Sequence, residues 1–171
     1  MFNRRSFAIA AATLGLVAGT AAPAAAQSPP DITDADFLAQ AAQANQFEIV
    51  TGRQAAKRGR SHAVRMLGRM FVKHHTAQLQ AGAQVAAKLG ITPPAGPSAA
   101  QAQTAARLAG LRGRRFDRAW LKAQLAAHRQ AVVLHLAGAL TGDTADVRTL
   151  AILGLPVVPE HLGELTAVAG H

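Results

Sequence analysis

"SHAVRMLGRMFVKHHTAQLQAGAQVAAKLG", Ser61 to Gly90, reads as one amphipathic helix. Val64, Leu67, Phe71, His75, Leu79, Gly82 and Ala86 recur at steps of three and four residues, the spacing of one helix face. Ser61 supplies an N-terminal cap. Gly90 and the prolines of "ITPPAGPS" stop the helix. His74 and His75 sit side by side in its middle. Neighbours on a helix point about 100° apart, so only one of them can face squarely inward. His75 shares a stripe with Phe71 and Leu79 and is the inward one. His74 is expected to turn toward a neighbouring groove or solvent.

The same periodicity extends in both directions. Upstream, a helix is expected from Asp34, capped by Thr33 or Asp34, to near Gly59. Phe37, Ala41, Ala44 and Glu48 form one stripe on it; Leu38, Ala42, Asn45 and Ile49 form the next. Downstream, Ser98 to Leu111 is a shorter helical piece, and Gly113 interrupts the pattern. A third long helix carries Asp117, Leu121, Leu125, His128, Val132, His135 and Ala139, with Phe116 and Trp120 beside them. "TGDTAD" is a turn with Thr144 or Asp143 as cap. The fourth long helix places Val147, Leu150, Gly154, Val158, His161, Leu165 and Val168 on one face. Pro156 falls inside it, and an interior proline costs about 3 kcal/mol. The helix must therefore kink at Gly154–Pro156. The expected fold is all-α: a four-helix bundle of two up-down hairpins. No internal repeat of fixed period is visible.

Composition agrees. Aromatics make up 4% of the 171 residues, and alanine dominates the hydrophobic half, which favours helix over sheet. The absence of cysteine excludes disulfides, thiolate metal sites, a cysteine nucleophile and a lipid anchor on cysteine.

The N-terminus gives an address. "MFNRRSFAIAAATLGLVAGTAAPAAAQSPP" has a basic start, a short apolar run and an A-x-A site before Gln27. Arg4-Arg5 followed by Ser6-Phe7 resembles a twin-arginine export signal. Residues 1–26 are read as a cleaved signal, 27–33 as a linker and 34–170 as the helical domain. The periplasm, with outer-membrane association left open, is the expected location, and no transmembrane span follows the signal. Loss of Arg4 and Arg5 lowers the net charge from +9 to +7. Arg53, Lys57, Arg58, Arg60, Arg65 and Arg69 are then a solvated basic face. Export argues against nucleic acid as partner; an envelope surface or a protein partner stays open, as does oligomeric state.

Each long helix places a ligand-type residue on its apolar stripe: Glu48, His75, His128 and His161. At 1.5 Å per residue, Glu48 and His75 lie roughly 17 and 22 Å from the first hairpin turn, and His128 lies about 21 Å from the second, which puts them near one level of the bundle. Three imidazoles and a carboxylate at one level suit one Zn, Cu, Fe or Mn ion better than Ca or Mg. Asp117 shares the face of His128 but lies about 16 Å along the axis, as a helix-end or outer partner. The same four residues would equally form a buried hydrogen-bond network. A di-iron carboxylate site needs Glu-x-x-His pairs, and none occurs. Nor does a G-x-S-x-G elbow, a phosphate loop or a Gly-rich dinucleotide turn. No motif assigns a reaction.

"DADFLAQAAQANQFEIVTGRQAAKRGRSHAVRMLGRMFVKHHTAQLQ", "LGI", "GRRFDRAWLKAQLAAHRQAV" and "LPVVPEHLGEL" together resemble the bacterial family known as domain of unknown function 4142, over about residues 34–169. The resemblance implies an exported or envelope protein with a ferritin-like helical bundle. It maps family positions onto Glu48, His75, Phe116-Asp117, His128, Leu155-Pro156 and His161. Two departures stand out. His74 occupies a position where the family keeps an acid, and "VVPEH" introduces Pro159 before His161. His74 and Asp117 are accordingly read as outer partners of the centre. The resemblance implies no activity, and three functional readings of the residues stand: a metal-binding bundle, a structural or interaction module of the envelope, and a redox or stress-protection enzyme.

Overall fold

The computed structural model describes residues 30–170. The signal expected at residues 1–26 lies outside them. The described chain is all-helical, in the order α1 (Asp34–Arg58), α2 (His62–Lys88), α3 (Ala99–Ala109), α4 (Gly113–Thr141), α5 (Ala145–Gly154) and α6 (Val157–Ala169). Local chemistry sets the boundaries. The hydroxyls of Thr33, Ser61 and Thr144 accept from the backbone N–H groups of Asp36, Val64 and Val147. Ser98 and Gln101 form a reciprocal capping box at α3. The C-terminal helix is kinked where the prolines demand it. Pro156 caps α6, and Pro159 falls in the first turn of α6, where its missing N–H has no intrahelical partner to lose.

α1 lies along α2, and α4 packs against α1, α5 and α6. At the α1/α2 crossing the backbones nearly touch. A Cβ on Gly52 would meet the carbonyl oxygen of Gly68 at 2.9 Å, and a Cβ on Gly68 would meet that of Gly52 at 2.6 Å. α3 is strapped to α1 by Gln54 and Arg58, whose side chains donate to the carbonyls of Ala105 and Ala109.

Each hairpin turn is held by an aspartate from the other hairpin. Asp117, at the start of α4, accepts from the N–H groups of Arg60 and Ser61, both at 2.9 Å. Asp34, at the start of α1, accepts from the N–H of Thr144 at 3.1 Å and is buried. Arg65 and Arg148 donate to the turn carbonyls of Gly59 and Gly142, respectively. The pairs Asp34/Asp117, Gly59/Gly142, Ser61/Thr144 and Arg65/Arg148 are all separated by the same number of residues. The two halves therefore do repeat, contrary to the sequence reading. The repeat escapes notice because it survives mainly at turn and capping positions.

Two apolar clusters fill the interior. One holds Phe71, Phe116, Trp120 and Leu165; the other holds Phe37, Leu38, Val147 and Ala151. α1 runs from Phe37 in the second to Ala55 in the first, and α4 runs from Trp120 in the first toward Ala139, packed on the second. Glu48 and His128 lie between these points on their helices. The interior is thus apolar at both ends, with a polar layer in the middle.

Candidate metal centre

α2, α4 and α6 each bring one buried histidine to this layer. A ring nitrogen of His75, one of His128 and one of His161 all lie within 4.8 Å of one another. Nε2 of His128 is 3.1 Å from Nδ1 of His161. Zn–N bonds of 2.0–2.1 Å in a tetrahedron separate ligand nitrogens by about 3.3 Å, so this pair is already near ligand spacing. Phe71 floors the group, with ring centroids 5.0 Å from His128 and 4.7 Å from His161.

The hydrogen bonds behind the rings fix which nitrogens are free. Nδ1 of His75 lies 2.8 Å from Oδ1 of Asn45, and Nδ1 of His128 lies 3.0 Å from the carbonyl oxygen of Gln124. Both partners are acceptors, so both Nδ1 atoms carry the proton and both Nε2 atoms keep a lone pair. Nε2 of His75 is buried with no hydrogen-bond partner. His161 is contacted on both sides, at Nδ1 by His128 and at Nε2 by Nδ1 of His74, 2.9 Å away.

Burial keeps the rings neutral. Desolvation, then the neighbouring imidazoles, hold His75 well below the usual histidine range. Desolvation lowers His128 to about 4. Desolvation first, then His128 and His74, lower His161 to about 3. Neutral imidazoles are the metal-binding form, so the rings need release no net proton near pH 7.

Glu48 borders the group without belonging to it. Its Oε1 lies 3.8 Å from Nδ1 of His128, the nitrogen turned away from His161. Its Oε2 is buried and unpaired. Desolvation raises its pKa well above the ordinary carboxylate value, opposed by the amide of Gln124. Asp117 serves only the helix end, clamping the α1/α2 turn about 16 Å along α4 from His128. His74 differs from the sequence reading. It does not point away into a groove; its ring lies edge to edge with that of His161 and nearly parallel to it, with centroids 5.2 Å apart. A cavity of about 240 Å³ reaches Glu48, His75 and His128 from the side of Gln40, Ser98 and Gln101.

The family profile described as Domain of unknown function (DUF4142) matches residues 19–168. The chain belongs to the DUF4142 family. No curated protein matches it. Among solved structures, a crystal structure of a DUF305 fragment from Deinococcus radiodurans is similar, with a TM-score of 0.71 at 18% identity. The likeness covers 82% of this chain and 99% of that one, and it concerns the fold alone.

Three members of this polar layer were not legible in the sequence: Asn45, Gln124 and Thr51. Gln124 is fully buried, and its Nε2 donates to the hydroxyl of Thr51 at 2.9 Å. Asn45 stood on a recognised stripe, one position from the inward face, which was the available signal. Gln124 precedes His128 by one helical turn, a spacing that also places it on the inward side.

Proposed function

We propose that this protein is an exported, ferritin-like four-helix bundle that binds one transition metal through His75, His128 and His161. The observation that carries the reading is the convergence of three neutral, buried imidazole nitrogens from three helices. Two orphaned buried atoms support it, Nε2 of His75 and Oε2 of Glu48. A cation would engage the first and offset the desolvation that drives Glu48 toward its protonated form. Glu48 then stands behind His128 as a nearby buried carboxyl group rather than as a fourth ligand. Zn, Cu, Fe or Mn suits imidazole ligands, and a three-ligand site leaves a position open toward the cavity. Such an ion would supply Lewis-acid or, for Cu, Fe or Mn, redox chemistry; the chain's own residues bind and orient it. Export rests on the twin-arginine-like N-terminus, and the bundle reading on the paired hairpins.

Cobalt(II) tests the ligand set. Added to untagged, metal-stripped protein, it is expected to give the intense visible bands of a low-coordinate nitrogen site at one equivalent. His75→Ala and His128→Ala are expected to lose them. Weak octahedral bands in the unaltered protein would count against the centre.

One observation favours a second reading. His74, His161, His128 and the carbonyl of Gln124 form a continuous hydrogen-bonded row. In this reading the row is a structural network of a non-catalytic envelope module. Cobalt binding discriminates between the two.

A further inference from the structure

A second cavity, of about 410 Å³, lies between α1, α2 and α5 on the far side of Asn45. Its volume is within the range of small-molecule sites. Phe37, Leu38, Leu79, Leu150 and Val157 supply an apolar wall. Leu153 stands at it with 66% of its surface exposed. Not one Lys, Arg, Asp or Glu lines it. An ion inside would lose its hydration with no counter-charge, so the cavity selects a neutral occupant.

One end is polar. Asn45, Gln78 and His135 line both this cavity and the one that reaches the histidines. Nδ1 of His135 is engaged with the carbonyl of Ala151, and Asn45 with His75. Gln78 is different: its Nε2 is buried and has no hydrogen-bond partner, although the side chain lies against His75. A buried donor without an acceptor has lost its water and gained nothing in return. An occupant carrying an acceptor would make up that loss.

Gly82 gives an independent pointer. It sits in the interior of α2, where glycine is destabilising relative to alanine. Close packing does not require it there. A Cβ on Gly82 would find only Leu150, at 4.0 Å. The missing side chain leaves the cavity open.

We propose that this cavity binds a small, neutral, largely apolar molecule bearing one hydrogen-bond acceptor, with the acceptor on Gln78. The proposal stands apart from the metal centre and is tested in metal-stripped protein.

2-Octanone is the probe, titrated into ¹⁵N-labelled protein and followed by NMR. Saturable binding is expected, with the side-chain amide of Gln78 shifting and contacts from the octanone chain to Phe37 and Leu150. Octanoate at pH 8 is expected to bind at least tenfold more weakly, as is 2-octanone to Gln78→Leu. Gly82→Leu fills the cavity and is expected to weaken binding at least tenfold with unchanged helical circular dichroism. Should that variant not fold, the contacts to Phe37 and Leu150 in the unaltered protein decide. Absence of saturable shifts, equal binding of octanoate, or undiminished binding by folded Gly82→Leu would overturn the proposal.

Discussion

Nε2 of His128 and Nδ1 of His161 stand 3.1 Å apart, each facing the other across the centre of the helical layer. Without an ion, one proton must lie between them. Nδ1 of His128 already donates to the carbonyl of Gln124, so the proton belongs to Nδ1 of His161. Nε2 of His161 then accepts from Nδ1 of His74. If Nδ1 of His161 were a metal ligand, the ring would carry its proton on Nε2 and donate it to His74, the reverse of that row. Long-range ¹H–¹⁵N spectra of the imidazoles are expected to show His161 change tautomer when zinc is added. An unchanged tautomer in zinc-saturated protein is incompatible with the ligand set.

His74 follows as an outer partner that holds the His161 ring. Partners of this kind typically contribute 10–100-fold to metal affinity. His74→Ala is expected to weaken zinc binding by about that factor, read by chelator competition. Its thermal midpoint is expected to move little, because His74 is only half-buried. An unchanged affinity would leave His74 as packing alone.

The two aspartate clamps predict stability effects separate from the metal. Asp117→Ala removes acceptors from two backbone N–H groups at the α1/α2 turn, and Asp34→Ala does the same for the N–H of Thr144. Each is expected to cost about 1–3 kcal/mol in urea unfolding. The two costs are expected to add within about 0.5 kcal/mol, because the sites are at opposite ends of the molecule. Metal stoichiometry is expected to be unaffected. A loss below about 0.3 kcal/mol in either variant would contradict the clamp.

Acid should unfold the metal-free protein early. His128 and His161 are neutral when folded down to about 4 and 3. In the unfolded chain a histidine protonates near 6.5. Between those values the unfolded state holds more protons, so stability falls as pH drops below about 6.5. With two such groups the slope approaches about 2.7 kcal/mol per pH unit. Glu48 acts with the opposite sign. Its raised folded pKa contributes stability below 4.5 that is lost as pH rises through the folded value. Denaturant midpoints measured from pH 7.5 to 4.5 should therefore fall with acid. A flat profile would show the histidines solvated.

Much of this molecule was legible because it is governed by local rules. Thr33, Ser61, Ser98 and Thr144 cap where their hydroxyls follow non-helical backbone, and Pro156 breaks a helix for a covalent reason. His75 was assigned inward by periodicity, and it is buried. His74 was not assignable in the same way. Its contact depends on α6, whose path is reset by the break at Pro156, and periodicity within one helix carries no information about a neighbour's displacement. Glu48 shared a level with the histidines, but level along an axis does not say which nitrogen of His128 it faces. Asn45 and Gln124 were passed over because neutral amides are as common on solvated faces as in cores. The internal repeat was hidden for a related reason: what it preserves is four turn-binding positions, scattered among residues that differ.

The central claim is tested most directly by metal content. Untagged purified protein assayed by elemental mass spectrometry is predicted to carry about one Zn, Cu, Fe or Mn per chain, with His75→Ala and His128→Ala folded but empty. Purified protein well below one equivalent, and not raised in thermal midpoint by any of the four ions, would contradict it.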